Sequence, residues 1–405
     1  MTNPLLAEWT GPFGLPPFDA IEDADFGPAL EAALAEDLAE VVGVADAAEP
    51  PTFANTIEGL MCCGATLDRV TGVFFNLAGS DSTPAREALM REYSPKLAAH
   101  AAAIYGNRPL FDRIRSLWER RETLGLNDEQ ARVLMLVHRN FIRAGAALEG
   151  DDAARMTAIK QRLAVLGTSF TQNLLADERD WSMPLSEADL VGLPGFVVAA
   201  ARAAGEERGA AGPVLTLSRS LIVPFLQFSP RRDLRERAYK AWVARGAGGG
   251  ATDNREIAAE ILGLRQERAA LLGYADFASY KLETEMAGTP AKVRALLSAV
   301  WAPARAQAEA DAQLLEERMH ADGVNAALAP WDWRYYAEKR RKAEHDLDDA
   351  ALKPYLQLDR MIEAAFDCAN RLFGLEFRAL DLPLYHPDAR PWEVTRGGAH
   401  VAVFI

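Results

Sequence analysis

Apolar residues along this chain recur mainly at spacings of three and four, which lines one side of an α-helix. Behind the start signal Thr289-Pro290, residues Val293, Leu296, Leu297, Val300 and Trp301 follow the i, i+3, i+4, i+7, i+8 stripe, predicting a helix half buried in a core. Asp25 to Val44 is alanine- and leucine-rich with Pro28 near its start. The turn Pro50-Pro51-Thr52 leads to a second helix capped by Asn55 or Thr56, with Ile57, Leu60, Met61 and Gly64 along one side. Asn127 with Gln130 three residues on forms a capping box, and Leu134, Val137 and Phe141 mark the face behind it. Leu163, Leu166, Phe170 and Leu174 make Ala153 to Leu175 helical, and with the helix before it this predicts a long antiparallel pair. Ser229-Pro230 reads as another start, with Leu234, Ala238 and Trp242 inward.

Two places depart from this period. Between Gly192 and Ser229 the runs Pro213–Ser218 and Leu221–Phe228 show period-two character and predict a small β-hairpin, with Pro224 confining the second run to an edge. At the end, Trp392 to Arg396, the turn Gly397-Gly398 and Val401 to Ile405 read as a strand, a tight turn and a returning strand. The prolines and glycines of Asn3 to Pro17 predict an extended arm, and Gly246 to Gly250 a loop. The fold class is therefore predominantly all-α, with residues 1–228 as a helical region bearing the arm and hairpin, and 229–405 as a second helical region.

The densest stretch is Pro330 to Asp359. Trp331, Trp333, Tyr335 and Tyr336 open a helix that buries the tyrosines one turn on, before a basic run from Lys339 to Lys342 that needs water; Lys353-Pro354 breaks it, and Leu358, Ile362 and Phe366 restart a helical stripe. This stretch, together with Pro50 to Ile57, Asp253-Asn254 through Leu264-Arg265 to Leu271-Leu272-Gly273-Tyr274, and Met286-Ala287-Gly288-Thr289-Pro290, resembles the zinc metallopeptidase family of thimet oligopeptidase, oligopeptidase A and peptidyl-dipeptidase, most closely the bacterial peptidyl-dipeptidases. The resemblance runs the whole length. It implies an elongated, mostly helical lobe of a two-lobed enzyme that cleaves short peptides.

That family's chemistry rests on His-Glu-x-x-His, two histidines one turn apart on one zinc and a glutamate that takes a proton from the bound water. The six histidines here are His100, His138, His320, His345, His386 and His400; no two are four apart and none is followed by glutamate. The resemblance thus implies zinc as cofactor, with its ligands outside these residues, no catalytic residue among them, and a catalytic C-terminal portion that is missing or separately encoded. On this reading the last strand is truncated, the chain alone is inactive, and the segment beyond about Leu380 is disordered or aggregation-prone. A non-catalytic helical scaffold that binds peptides or a partner is the alternative.

Composition narrows the classes further. Lys and Arg number 44 against 58 Asp and Glu, a net charge of −14 that argues against nucleic acid as a partner. Three cysteines, Cys62, Cys63 and Cys368, make no disulfide framework, and no apolar run has signal-peptide or membrane-spanning length, so the reading is a cytoplasmic protein without membrane partners.

Other groupings carry less. His345 with Asp346, Asp348 and Asp349 has metal-ligand residue types, but so short a run rarely converges on one ion, and it reads as a helix end. His386-Pro387-Asp388 reads as a turn. Cys62-Cys63 reads as core. Arg231, Arg232, Arg235, Arg237 and Lys240 have the makings of an anionic or peptide-carboxylate site and read instead as a solvated face opposite Leu234, Ala238 and Trp242. The aromatics from Trp331 to Tyr336 read as core rather than substrate wall.

Overall fold

Helices begin largely where the caps in the sequence place them. The computed structural model describes residues 3–345 and 355–405. Two compact units divide the chain, one made of Met1–Glu149 with Leu356–Ile405, the other of Gly150–Tyr355.

The first unit opens with the arm, whose Leu5 is fully buried among Phe26, Leu30, Val70 and Phe74. Its helices are α1 (Asp23–Ala45), α2 (Gly59–Cys62), α3 (Ala65–Ser80), α4 (Pro84–Tyr105), α5 (Arg108–Glu119) and α6 (Asp128–Ala144). Thr83 and Asn107 cap α4 and α5 through the backbone N–H of Arg86 and Leu110, and Asn127 and Gln130 form the predicted box before α6. The single helix expected after Thr52 is instead two pieces. Cys63 is extended and Gly64 takes φ +78°, with a Cβ there only 3.0 Å from the Asp37 carboxylate, so the chain turns between α2 and α3 at a position that needs glycine.

The second unit contains α7 (Gly150–Asp180), β1 (Ser182–Pro184), α8 (Gly195–Glu207), β2 (Val214–Thr216), α9 (Arg219–Phe228), α10 (Arg232–Val243), α11 (Arg255–Leu271), α12 (Phe277–Leu282), α13 (Pro290–Ala321) and α14 (Pro330–His345). The predicted hairpin is not there. Val214–Thr216 pairs with Ser182–Pro184 across the intervening α8, and Leu221, Ile222, Phe225 and Leu226 are buried along helix α9 despite Pro224. Their spacing of one and four is a helical face, and it outweighs the alternation of Leu221 with Val223. Ser229 ends α9 rather than starting α10, whose cap is Arg231. The long partner of α7 comes from later in the chain than expected: α11 runs antiparallel to it, joined by Arg155–Glu267 and Arg162–Glu260. One core cluster runs from Met183 to Ala238, through β1, β2, α8, α9 and α10.

The returning segment adds α15 (Leu358–Phe373) and a three-stranded antiparallel sheet of β3 (Leu375–Ala379), β4 (Trp392–Arg396) and β5 (Ala399–Phe404) to the first unit. The β4–β5 hairpin is the predicted one, while β3 was not anticipated although Leu375, Phe377 and Ala379 alternate with Glu376 and Arg378. Phe366 of α15 stacks on Phe377 at 4.0 Å and meets Trp392 and Phe404 edge-on. Strands β4 and β5 lie past Leu380, in the segment where local disorder or aggregation was expected. Tyr385 packs into the Phe26–Phe74 cluster beside Phe18.

Candidate functional site

Asp332 organises the second unit at the point where the sequence is densest in aromatics. It sits at the third position of α14 and is fully buried; one oxygen accepts the backbone N–H of Ala329, the residue before the helix, at 3.1 Å. Arg232 reaches Oδ2 at 2.8 Å, and Arg235 reaches Oδ1 at 2.8 Å. Arg235 is itself 1% exposed, and its remaining donors go to the carbonyls of Ser229 and Trp331 at 2.7 and 3.1 Å. Burial alone would raise the Asp332 pKa, but the hydrogen bonds from the two arginines and Ala329 outweigh it and hold the carboxyl below its ordinary value. The helix read as a solvated basic face is thus half internal, because Arg232 and Arg235 answer a carboxylate about a hundred residues later that no local pattern reveals.

Beside this network lies an open cleft of about 740 Å³, bounded by α10, α13 and the start of α14. Tyr239, Gln313, Glu316, Leu328, Trp333 and Arg334 line it. Glu316 accepts the backbone N–H of Leu328 at 3.1 Å and so fixes the loop that forms one wall. None of the lining residues is a histidine, cysteine or serine. The cleft offers binding groups and no nucleophile. Of the aromatics read as core, Tyr336 is buried, whereas Trp333 is 37% exposed and faces this space.

The other candidates are scaffold. His100 binds Asp37 at 2.6 Å where both are nearly buried, and His138 stacks on Trp118 at 4.8 Å, its pKa drawn down by burial and the nearby Arg121. His386 Nδ1 accepts the N–H of Asp388, closing the expected turn. His400 meets Glu393 at 3.2 Å, and His320 meets the Ala326 carbonyl. His345 ends α14, and its neighbours Asp346, Asp348 and Asp349 lie outside the described residues, as does Lys353-Pro354. Cys62, read as core, is exposed; Cys63 is partly buried, its thiol pushed up to about 11 by burial and by Glu40 and Asp37. Among the described residues, no group of three or more His, Cys, Asp or Glu is placed to hold a metal ion, and no helix is long and apolar enough to cross a membrane.

Comparison with known proteins sets this geometry in context. Residues 225–403, which include α10, α13, α14 and the cleft, match Peptidase family M3. Over 407 residues the chain is 33% identical to the dipeptidyl carboxypeptidase of Escherichia coli, covering 99% of this chain and 60% of that one. The chain is similar to peptidase family M3 over those residues and to a dipeptidyl carboxypeptidase over nearly its whole length. Oligopeptidase A of Salmonella typhimurium is 30% identical over 400 residues, with 97% of this chain and 58% of the relative covered. The chain thus spans about 60% of the length of the curated relatives it matches.

The motifs that carry the M3 resemblance have structural tasks here. In Pro50 to Ile57, Asn55 and Thr56 accept hydrogen bonds from Arg113, which also holds the Ala47 and Glu49 carbonyls. Asn254 is buried and ties α7 to the start of α11 through Asn173 and the Phe170 carbonyl. Thr289 caps α13 through the N–H of Lys292.

Proposed function

We propose that these residues belong to a zinc-dependent peptidase acting on short peptides, and that they supply its scaffold and part of its peptide-binding surface rather than its reacting groups. The carrying observation is a pair of facts: relatives that include a dipeptidyl carboxypeptidase match nearly the whole chain, while no histidine lies in a group of three or more His, Cys, Asp or Glu placed to hold a metal ion among the described residues. The described residues do not fit a catalytic zinc, which needs three protein ligands and an open position.

Two preparations test this reading: the 405 residues alone, and the same residues fused to the part of the Escherichia coli dipeptidyl carboxypeptidase that they do not match. With an unblocked pentapeptide and added zinc, the chain alone is expected to give no turnover, and the fusion turnover that a chelator abolishes. Chelator-sensitive turnover by the chain alone would show reacting groups within it. A folded but silent fusion would count against the peptidase reading and favour a non-catalytic scaffold, for which the cleft is the supporting feature.

A further inference from the structure

Helix α13 is held mainly at its far end. Leu315 and Met319 are buried with Tyr336 of α14, whereas every residue from Arg294 to Ala310 is exposed. That stretch makes nearly five turns, about 25 Å of helix. It is also two-sided. At about 100° per residue, Val293, Leu297, Val300, Trp301, Ala304 and Ala308 fall on one stripe about 100° wide, with Lys292, Arg294, Arg305 and Glu309 outside it. A continuous apolar stripe of this kind, left uncovered by its own chain, marks a surface that another surface covers.

The stripe is complementary to itself. Turned antiparallel about a twofold axis between Val300 and Trp301, two copies place Val293 opposite Ala308, Leu297 opposite Ala304, and Val300 opposite Trp301. Large side chains then face small ones in the outer layers, which lets the helices interdigitate. The charges agree with the same turn. Lys292 and Arg294 of one helix come within a turn of the level of Glu309 and Asp311 of the other, where a parallel pair would set like charges side by side. Glu309 and Asp311 already pair with Arg305 and Arg340, so these charges set the register and add little affinity. We propose that two copies of this chain associate through the exposed span of α13, antiparallel about that axis. A contact one helix wide falls at the small end of specific interfaces, below about 1,200 Å², and the pair is correspondingly weak, with a dissociation constant on the order of 10 µM. Well below that concentration the chain is monomeric.

Sedimentation velocity of the 405-residue chain between about 1 and 200 µM tests the assignment and should show a monomer passing to a dimer. Trp301→Glu and Leu297→Glu should each raise the dissociation constant at least about tenfold. Both change exposed residues and should keep the wild-type unfolding midpoint, which separates lost association from lost folding. Leu372→Glu, on the exposed apolar face of α15, should leave the constant unchanged. Cross-linking reads the register. With Cys62→Ser and Cys368→Ser in place, Val300→Cys lies at the axis and should form a disulfide-linked dimer on mild oxidation, whereas Val293→Cys, about 22 Å along the helix from its mate, should not. A chain that stays monomeric to about 200 µM, a dimer indifferent to both glutamates or abolished by Leu372→Glu, or a cross-link through Val293→Cys in place of Val300→Cys would overturn the proposal.

Discussion

Asp332→Asn leaves the Arg235 guanidinium buried with no counter-charge, and the loss of one partner from such a pair costs about 3–5 kcal/mol. Denaturant unfolding should register that loss, while Asp322→Asn, at a partly exposed ion pair, should stay within about 1 kcal/mol of wild type. The pH dependence has a definite sign. The folded pKa of Asp332 lies below its ordinary 3.8, so its contribution is complete at neutral pH and is lost as pH falls from about 3.8 through the folded value. Thiol chemistry gives a second check at this scale. Iodoacetamide at pH 8, read by mass spectrometry, should modify exposed Cys62 and Cys368 and leave Cys63 largely unmodified, because its pKa near 11 keeps it protonated. The adjacent cysteines looked alike in the sequence. The break at extended Cys63 and left-handed Gly64 separates their environments.

Capping signals were legible because they are local: Asn127 with Gln130, Thr289 before Pro290 and the Gly397-Gly398 turn each act within a few residues. Burial was not legible in the same way. The stripe on α13 was read as facing a core, yet Leu296, Leu297, Val300 and Trp301 are 54–69% exposed, and the buried residues of that helix are Leu315 and Met319 near its far end. Periodicity reveals which side of a helix is apolar, while what covers that side is a tertiary fact. Trp301→Glu should therefore leave the unfolding free energy of the chain within about 0.5 kcal/mol of wild type and reduce light scattering at high concentration. A loss of about 3 kcal/mol or more would mean that the indole is covered in solution.

At the scale of the molecule, the predominantly helical class and the likeness to the dipeptidyl carboxypeptidase relative were readable because helical spacing and the ordered motifs extend along most of the chain. The cleft was not, since its walls come from three helices more than seventy residues apart at the extremes, and its character depends on which charges remain unpaired after folding. The division into units also reaches across sequence: Tyr385 enters a cluster built by Leu5, Phe26 and Phe74, with the whole of α7 to α14 between them. Synthesis on the ribosome turns that layout into a schedule. At roughly 5–20 residues per second, the N-terminal helices emerge long before the segment carrying Tyr385, whereas all of Gly150–Tyr355 is contiguous and has its complete set of contacts sooner after its own first residue appears. The nascent chain therefore closes most of the Phe26–Phe74 cluster from its own N-terminal helices and leaves the edge beside Phe18 uncovered until Tyr385 emerges.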